Sequence, residues 1–399
     1  MATRTIQDVD VAGKRILMRV DFNVPLDEGG AITDDRRIRE ALPSIESVLR
    51  RGGRLVLMSH LGRPRGAGVE PALSLRPAAD RLGDLLPDTA VHFVAGDCAG
   101  EAANAAVTAL GDGAVVLLDN LRFDPGEKSG DPEFAGRLAA FGDIYCNDAF
   151  GTAHRSDASM VAVPAAMGDR PKVAGLLLAG ELRYLAKVLQ DPARPFVAVI
   201  GGAKVSDKLA ALRNLKGLVD VILIGGAMAY TFLESLGTRV GSSLVEPALL
   251  DEARTILQGP GRTISYYPFD HRCGRAISHD TPVEVFEAIP DGWMGLDIGP
   301  GTADRFAELI SGARTVIWNG PLGVFEIPPF DTGSRRVAEA MAAATDDGAV
   351  TVVGGGDTAA AVERFGLSDR FSHVSTGGGA SLWMLEGRRF ESVEQLDGC

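Results

Sequence analysis

Short apolar runs alternate with longer helix-like stretches along the whole sequence. This alternation is typical of βαβ units, in which helices cover both faces of a parallel sheet. We therefore predict an α/β fold. The expected strands are 15–20, 54–59, 114–119 and 144–147 in the first half, and 196–200, 220–224, 293–298, 315–318 and 349–353 in the second.

The chain is too long for one hydrophobic core. Its 399 residues exceed the roughly 250–300 at which single cores stop growing, so two domains are expected. Between the halves, leucines recur at helical spacing within 175–190, and Pro192 follows. One long helix there would connect two domains. The alternative is an ordinary surface helix of the second domain.

Composition narrows the functional classes. The net charge of -13 counts against nonspecific nucleic-acid binding, which needs a basic surface. The first residues lack an apolar signal core, and no apolar stretch approaches the roughly 18 residues that span a bilayer. We expect a cytoplasmic protein without a membrane partner. The scattered cysteines form no CxxC pair and are expected to be free thiols: Cys98, Cys146, Cys273 and Cys399.

Polar and basic residues follow the predicted strands of the first half. In open parallel sheets, ligands bind beyond the carboxyl ends of the strands, so residues there are site candidates. Arginine binds carboxylate and phosphate bidentately, which predicts a site for a small polyanion. The candidates are Asp21, Asn23, His60, Arg63, Arg122, His154 and Arg155.

Glycine-rich turns follow the predicted strands of the second half. Glycine lets backbone N–H groups approach phosphates closely at helix N-termini, so this half predicts a nucleotide site. Two substrates on two domains would suit a transferase. The turns are GGAK (201–204), GGAMAY (225–230), DIGPGT (297–302), NGPLGVFE (319–326) and GGGDT (354–358).

Each candidate also has an ordinary structural interpretation. Single His and Arg residues are usually surface or structural groups, and the polar pair in RVDFNVP could form a turn. Lys204 and Lys208 could lie on a solvated helix face. Arg36 and Arg37 follow two aspartates and could form a surface charge cluster. The shared position after predicted strands favours function for the His and Arg candidates.

Two common nucleotide motifs do not fit. GGAKVSDK lacks the spacing of GxxxxGK[ST], which disfavours P-loop chemistry. GGGDTA at 354–359 fits a loose dinucleotide fingerprint, but the acidic residue expected about 20 positions later is missing. NAD binding is therefore disfavoured.

Eight motifs occur in the order and spacing of one known family. They are RVDFNVP, SHLGRP, GTAHR, GGAKVSDK, WMGLDIGPGT, WNGPLGVFE, GGGDT and STGGGASL. The chain thus resembles phosphoglycerate kinases over essentially its whole length. The resemblance implies two Rossmann-like domains with parallel β-sheets flanked by helices, joined by a hinge helix across a cleft, in a monomer.

The resemblance also implies domain bounds. An N-terminal domain, 1–172, would bind 3-phosphoglycerate or 1,3-bisphosphoglycerate, and a C-terminal domain, 191–375, would bind ADP or ATP. Residues 173–190 would form the hinge helix, and 376–399 would return to the first domain.

In the first domain, the resemblance implies that Asp21 and Asn23 contact the hydroxyl and carboxylate region of the glycerate. Arg37, immediately before Ile38, resembles the arginine that enters the transferring phosphoryl site. The implied basic patch for substrate phosphate and carboxylate comprises His60, Arg63, Arg122 and Arg155.

In the second domain, Lys204 resembles the lysine that stabilises the transferring group, and Lys208 one that holds nucleotide phosphate. Asp357 and Thr358 resemble magnesium and phosphate contacts. Ala227 and Trp383 depart from the glycine and glutamate common in the family. The remaining implied nucleotide contacts are Gly202, Gly226, Gly299, Asn319, Glu326, Gly355 and Gly356, and Gly378 would lie at a helix N-terminus near the transferring phosphate.

The implied reaction needs no general base. A β-phosphate oxygen of ADP attacks the acyl phosphate and a carboxylate leaves, so catalysis would be positioning and charge stabilisation by Arg37, Lys204, Mg2+ and helix N-termini. A kinase of acetate or carbamate is one alternative, against which the arginine-rich half counts. An inactive nucleotide-binding protein is another, against which the joint presence of Arg37, Lys204 and Asp357 counts.

Overall fold

The chain divides into two compact units. In a computed structural model, which describes residues 4–258, 262–375 and 377–398, the first unit comprises Met1–Leu182 and Arg389–Cys399 and the second Arg183–Arg388. The division falls inside one helix, Leu176–Gln190, which confirms the helix predicted between the halves. The hinge role of that helix stays a prediction.

The first unit is built on a six-stranded parallel sheet of order β3-β4-β2-β1-β5-β6. Its central strands are almost continuously apolar because helices cover both faces. The strands are β1 Arg15–Arg19, β2 Arg54–Met58, β3 Val91–Val94, β4 Val115–Leu118, β5 Ile144–Asn147 and β6 Lys172–Ala174.

Helices and short loops complete this unit. Aspartates begin two of the helices: the Asp124 side chain accepts from Gly126 N–H and the Asp131 side chain from Phe134 N–H, each satisfying a backbone donor of the first turn. The helices are α1 Arg36–Leu49, α2 Arg76–Leu85, α3 Glu101–Ala109, α4 Pro125–Ser129, α5 Pro132–Ala139, α6 Ala162–Ala166 and the first part of α7 Leu176–Gln190, which continues into the second unit.

The second unit contains another six-stranded parallel sheet, of order β15-β14-β13-β7-β8-β9, and a three-stranded antiparallel sheet, β11-β10-β12. The Trp318 side chain is fully buried in the core beside the large sheet. The strands are β7 Phe196–Ile200, β8 Val221–Ile224, β9 Ile264–Tyr266, β10 His271–Gly274, β11 Glu284–Phe286, β12 Met294–Ile298, β13 Thr315–Asn319, β14 Val350–Gly354 and β15 His373–Val374.

The helices of the second unit are α8 Leu209–Leu215, α9 Met228–Ser235, α10 Leu250–Gln258, α11 Pro300–Ser311, α12 Thr332–Asp346, α13 Gly356–Arg364 and α14 Gly379–Leu385. The last helix, α15 Glu391–Glu394, belongs to the first unit. There Ser392 Oγ donates to the Ala153 carbonyl at 2.7 Å, and the Phe390 ring packs edge-on against Phe150. The segment assigned to the first unit thus begins at Arg389, later than the predicted 376.

All nine predicted strands occur with bounds that differ by at most one residue at an end. The prediction was wrong about the setting of one of them: β12, expected in a parallel sheet, pairs antiparallel with β10. Cys98, Cys146 and Cys273 are free, as predicted, and Cys399 lies outside the described residues. Among the described helices, none has the length and apolar character needed to cross a membrane.

Candidate active site

In the first unit, Asp21 and Arg37 meet beyond the end of β1. The Arg37 guanidinium donates to Asp21 Oδ2, and the Asp21 side chain is almost completely buried. The neighbouring Arg36 instead reaches Asp34, at 3.7 Å. The structure therefore brings Arg37 to the carboxyl edge of the sheet.

His60 lies at the same edge, after β2, and is only 2% exposed. Its Nδ1 is 3.2 Å from an Nη atom of Arg19. Burial, followed by the positive charges of surrounding arginines, holds the pKa of His60 well below its ordinary value. The imidazole is therefore neutral at pH 7. The arginines that act on it are Arg19, Arg122, Arg155 and Arg37.

Arg122 and Arg155 bring further cationic groups to this edge. Arg122 donates to the Gly62 carbonyl at 2.9 Å and to Asp157 at 3.2 Å. Burial and the nearby Arg155 lower the pKa of Arg122. The Nε atoms of both arginines are buried and have no hydrogen-bond partner within the described part of the chain. Buried donors without partners next to repelling cations favour an anion at this edge.

The other predicted residues of the first unit differ in burial and in hydrogen bonding. Asn23 is engaged by the fold, because its Oδ1 accepts from Gly62 N–H at 2.8 Å. Arg63 follows in the same loop with an exposed side chain, and His154 is half-buried in the loop after β5. All three lie in segments that follow the carboxyl ends of β1, β2 and β5, as the sequence predicted.

Arg19 was missed by sequence analysis. It lies inside β1, fully buried, whereas the search considered only residues after strand ends. A charged residue inside the apolar run RILMRV was the available signal, because arginine is almost never fully buried without partners.

In the second unit, the glycine-rich turns enclose two adjoining cavities. The larger, about 500 Å³, is lined by Gly202, Ala203, Lys204, Asp207, Lys208, Asn319, Gly320, Gly355, Gly356, Asp357, Thr358, Gly378, Gly379 and Leu382. The smaller, about 300 Å³, is more apolar and includes Gly226, Ala227, Leu296, Phe325 and Glu326. Gly202, Ala203 and Asp357 line both.

Close backbone approach explains two of the glycines. At Gly320 the backbone has φ of 94°, and a Cβ there would overlap the Gly201 carbonyl. At Gly226, φ is 67° and a Cβ would lie 2.6 Å from Gly202 N. The turns after β7, β8 and β13 therefore pack directly against one another beside the cavities.

Polar side chains reach the larger cavity from three turns. Lys208 Nζ donates to Asn319 Oδ1, and burial lowers the pKa of Lys208 against the attraction of Asp207, Asp357 and Glu386. Thr358 Oγ1 accepts from Gly320 N–H at 2.7 Å. Lys204 and Asp357 are exposed at the cavity wall. Hydrogen-bonded polar groups thus accompany two exposed side chains of opposite charge.

Gly299 is the one predicted nucleotide contact that the structure does not bring to these cavities. It lines a separate cavity of about 200 Å³ with Arg272 and Pro300. The physical reason is that β12 lies in the antiparallel sheet, so its carboxyl end does not emerge at the edge of the large sheet. Gly295, inside β12, lines the smaller nucleotide-type cavity instead and was missed.

Comparisons of the sequence with a family model and with known proteins indicate the same family. The family model for phosphoglycerate kinase matches residues 6–388. The chain is 55% identical to a phosphoglycerate kinase of Rhodopirellula baltica, with 100% of both chains covered, and 51% identical to one of Chloroflexus aggregans, with 99% of both covered.

Solved structures agree. The chain resembles phosphoglycerate kinase from Coxiella burnetii with a TM-score of 0.87 at 36% identity, and the enzyme from Pyrococcus horikoshii with a TM-score of 0.86 at 29% identity. Each comparison covers 98% of both chains. With an arginine-rich sheet edge in one unit and glycine-lined cavities in the other, this chain belongs to the phosphoglycerate kinase family.

Proposed function

We propose that this chain catalyses reversible phosphoryl transfer between 1,3-bisphosphoglycerate and ADP, giving 3-phosphoglycerate and ATP in glycolysis or gluconeogenesis. The observation that carries the proposal is the presence, in a member of this family, of buried arginines around His60 in one unit and two adjoining cavities in the other. Each arrangement suits one of the two substrates.

The first unit would bind the glycerate substrate. Its phosphate and carboxylate would accept hydrogen bonds from Arg122 and Arg155, whose buried Nε donors lack partners among the described residues. Asp21, already paired with Arg37, would accept from the glycerate hydroxyl. The remaining proposed contacts are Asn23, His60, Arg63 and His154.

The second unit would bind ADP or ATP. The smaller cavity, with its apolar wall and Gly202, Gly226, Gly295 and Glu326, suits the adenosine. The larger cavity suits the phosphates, because glycine backbone and Lys208 line it together. Asn319, Gly355, Gly356 and Thr358 are the remaining proposed contacts there.

Mg2+ would be held by Asp357 together with the nucleotide phosphates. No cluster of three or more His, Cys, Asp or Glu side chains able to hold a metal occurs in residues 4–258, 262–375 and 377–398. This donor set fits magnesium, which proteins usually bind through one or two carboxylates plus substrate phosphates. When bound, the ion neutralises phosphate charge.

Transfer would proceed without a general base. A β-phosphate oxygen of ADP forms the new bond to phosphorus while the acyl bond to phosphorus breaks, and the electron pair leaves on the carboxylate. Arg37, Lys204 and the backbone at Gly378 would stabilise the charge on the transferring phosphoryl oxygens. Asp21 would orient Arg37 through their ion pair.

A coupled assay of ADP formation from ATP and 3-phosphoglycerate tests the proposal. We expect turnover with 3-phosphoglycerate and none with acetate or carbamate, which lack the second anionic group that the arginines would bind. Turnover with acetate or carbamate alone would overturn the substrate assignment, and binding of ATP without any turnover would support an inactive nucleotide-binding protein. The cytoplasmic location and the monomeric state stay predictions.

A further inference from the structure

Glu127 is a buried carboxylate of the first unit that the proposed chemistry does not use. Its side chain is completely buried at the start of α4. Oε1 accepts from Ser159 Oγ at 2.6 Å, and Oε2 accepts from Ser159 N–H at 2.9 Å. Burial raises the pKa of Glu127, and the positive charge of Arg19 is the strongest opposing influence.

The Ser159 hydroxyl connects Glu127 to Arg19. Because its proton is donated to Glu127, its oxygen lone pairs remain to accept from Arg19 Nε, at 2.9 Å. The Arg19 guanidinium is thereby fixed on one side by Ser159 and on another by the Val20 carbonyl. Its remaining Nη atom contacts His60 Nδ1 at 3.2 Å.

This contact determines the tautomer of His60. Arginine nitrogens donate hydrogen bonds and cannot accept them, so Nδ1 must accept and therefore carries no proton. The proton of the neutral ring then lies on Nε2. The nearest carboxylate oxygen, Asp21 Oδ1, is 3.9 Å from Nδ1, too far to accept a hydrogen bond.

The other charged groups around the ring oppose a second proton. Arg37 approaches from α1, Arg122 from the loop after β4 and Arg155 from the loop after β5, and all act on the imidazole as positive charges. Asp21 and Asp157 lie at this edge, and each is paired with an arginine. Two further buried carboxylates, Asp119 after β4 and Asp148 after β5, accept hydrogen bonds from backbone N–H groups. His60 is consequently a neutral donor in a cationic region.

We propose that Glu127 is a positioning residue that acts through Ser159 and Arg19 to hold His60 as the neutral Nε2–H tautomer. His60 then donates a hydrogen bond to a carboxylate or phosphate oxygen of the substrate and adds no charge. This inference rests on the proposed function for its substrate, but the tautomer itself is a property of the free protein.

The first measurement is on the free wild-type protein. Long-range ¹H–¹⁵N NMR correlation spectra distinguish protonated from unprotonated imidazole nitrogens, and a His60→Gln variant assigns the signals. We expect unprotonated Nδ1 and protonated Nε2, unchanged between about pH 5 and 8. A proton on Nδ1, or a ring that becomes charged near its ordinary pKa of about 6.5, would overturn the proposal.

Variants test the connection. Ser159→Ala removes the shared hydroxyl without changing charge, whereas Ser159→Thr keeps it. Glu127→Gln should act like Ser159→Ala, because an amide NH2 can donate to Ser159 and turn the hydroxyl proton towards Arg19. Ser44→Ala is the matched control, since this buried serine accepts from Leu176 N–H and contacts neither Arg19 nor His60.

For Ser159→Ala we expect mixed or titrating His60 signals and a Kd for 3-phosphoglycerate raised roughly fivefold, equivalent to one lost hydrogen bond. The kcat at saturating substrate should change much less, and Ser159→Thr and Ser44→Ala should resemble wild type. A purely structural role would lower thermal stability but leave the tautomer unchanged, and that result would overturn the proposal. If Glu127→Gln does not fold, the comparison of Ser159→Ala with Ser159→Thr still tests the proposal.

These measurements distinguish failure of the proposed function from failure of the proposed tautomer. If the wild-type protein binds no 3-phosphoglycerate while His60 shows the expected tautomer, the substrate assignment fails and the positioning of His60 stands.

Discussion

The two units present charge at their candidate sites in opposite ways. In the first, the functional candidates are cationic side chains held in place by acidic partners: Arg122 is 4% exposed and paired with Asp157, and Arg37 is paired with Asp21. In the second, six of the fourteen residues that line the larger cavity are glycines, and the charged Lys204 and Asp357 are exposed.

This difference indicates how each unit would limit the free-energy cost of desolvating and ordering the groups that bind an anion. Buried guanidinium groups are desolvated and oriented by folding, so the first unit holds its donors in place before a substrate arrives. Backbone N–H groups at strand ends supply the second unit with donors that need no side-chain ordering. The fixed arginines of the first unit should select ligands by the positions of their anionic groups. The glycine-rich turns of the second unit should bind the successive phosphates of a polyphosphate.

The largest effects should come from the one charged group in each unit that is proposed to act on the transition state. Lys204→Ala and Arg37→Ala should each lower kcat roughly a hundredfold, about 3 kcal/mol, with smaller changes in KM. Steady-state kinetics on the coupled assay measures both constants. Arg36→Ala is the matched control, since Arg36 contacts Asp34 and should remain active. Near-normal kcat in folded Lys204→Ala would contradict its role.

The next largest effects should be on ligand affinity, where substitutions in the two units should affect different ligands. Arg122→Ala should weaken 3-phosphoglycerate binding roughly 10- to 100-fold and leave ATP affinity nearly unchanged, since one charged hydrogen-bond donor is worth about 1.5–3 kcal/mol. Lys208→Ala should do the reverse. Calorimetric titration of each ligand alone measures this, with Arg137→Ala, an exposed ion-paired arginine, as control. Parallel loss of both affinities in either variant would break the comparison between the units.

Stability should depend on glycine in the second unit at positions of close backbone approach. Gly320→Ala should lower the free energy of unfolding by on the order of 1–3 kcal/mol, because its φ is 94° and the new Cβ would overlap Gly201. Gly312→Ala, at the end of α11 with φ of -86° and only distant neighbours, should be close to neutral. Denaturant unfolding of both variants measures the difference, and equal stabilities would show that the turn can relax.

The sequence was sufficient to predict the strands of the parallel sheets, but it did not predict the small antiparallel sheet. Runs such as FVAVI predict β7 because strands covered on both faces must be continuously apolar. The short β10 and β11, HRCG and EVF, carry no such run, since their sheet is small and one of its strands is half-exposed. Their pairing with β12 depends on long-range contacts that local pattern does not encode.

The same reason limited prediction of the candidate site. Residues after β1, β2, β4 and β5 could be located because parallel strands end at one edge. The family resemblance implied a nucleotide contact at Gly299, and the strand-end rule pointed to its turn, but β12 lies outside the parallel sheet and Gly295 lines the cavity instead. Arg19 was missed because it lies inside β1, and its contacts with Ser159 and His60 join residues that are distant in sequence.

The smallest expected effect is a difference in pH dependence. In the proposed function the first unit binds through arginines, which stay charged, and a neutral His60, so 3-phosphoglycerate affinity should be flat between about pH 8 and 10. The second unit would bind through Lys208, whose pKa burial lowers. A bound polyphosphate favours the charged amine, so ATP affinity should be highest where free Lys208 is protonated and should fall as pH rises through its lowered pKa.

Calorimetric titration of each ligand across this pH range tests the difference. We expect ATP affinity to decrease a few-fold while 3-phosphoglycerate affinity holds, because phosphate groups are already fully ionised above their second pKa of about 6. Lys208→Arg should flatten the ATP profile, since arginine does not titrate in this range. The fall would be assigned elsewhere if ATP affinity declined equally in Lys208→Arg, and a parallel decline for both ligands would mean that the two units do not differ in the source of their positive charge.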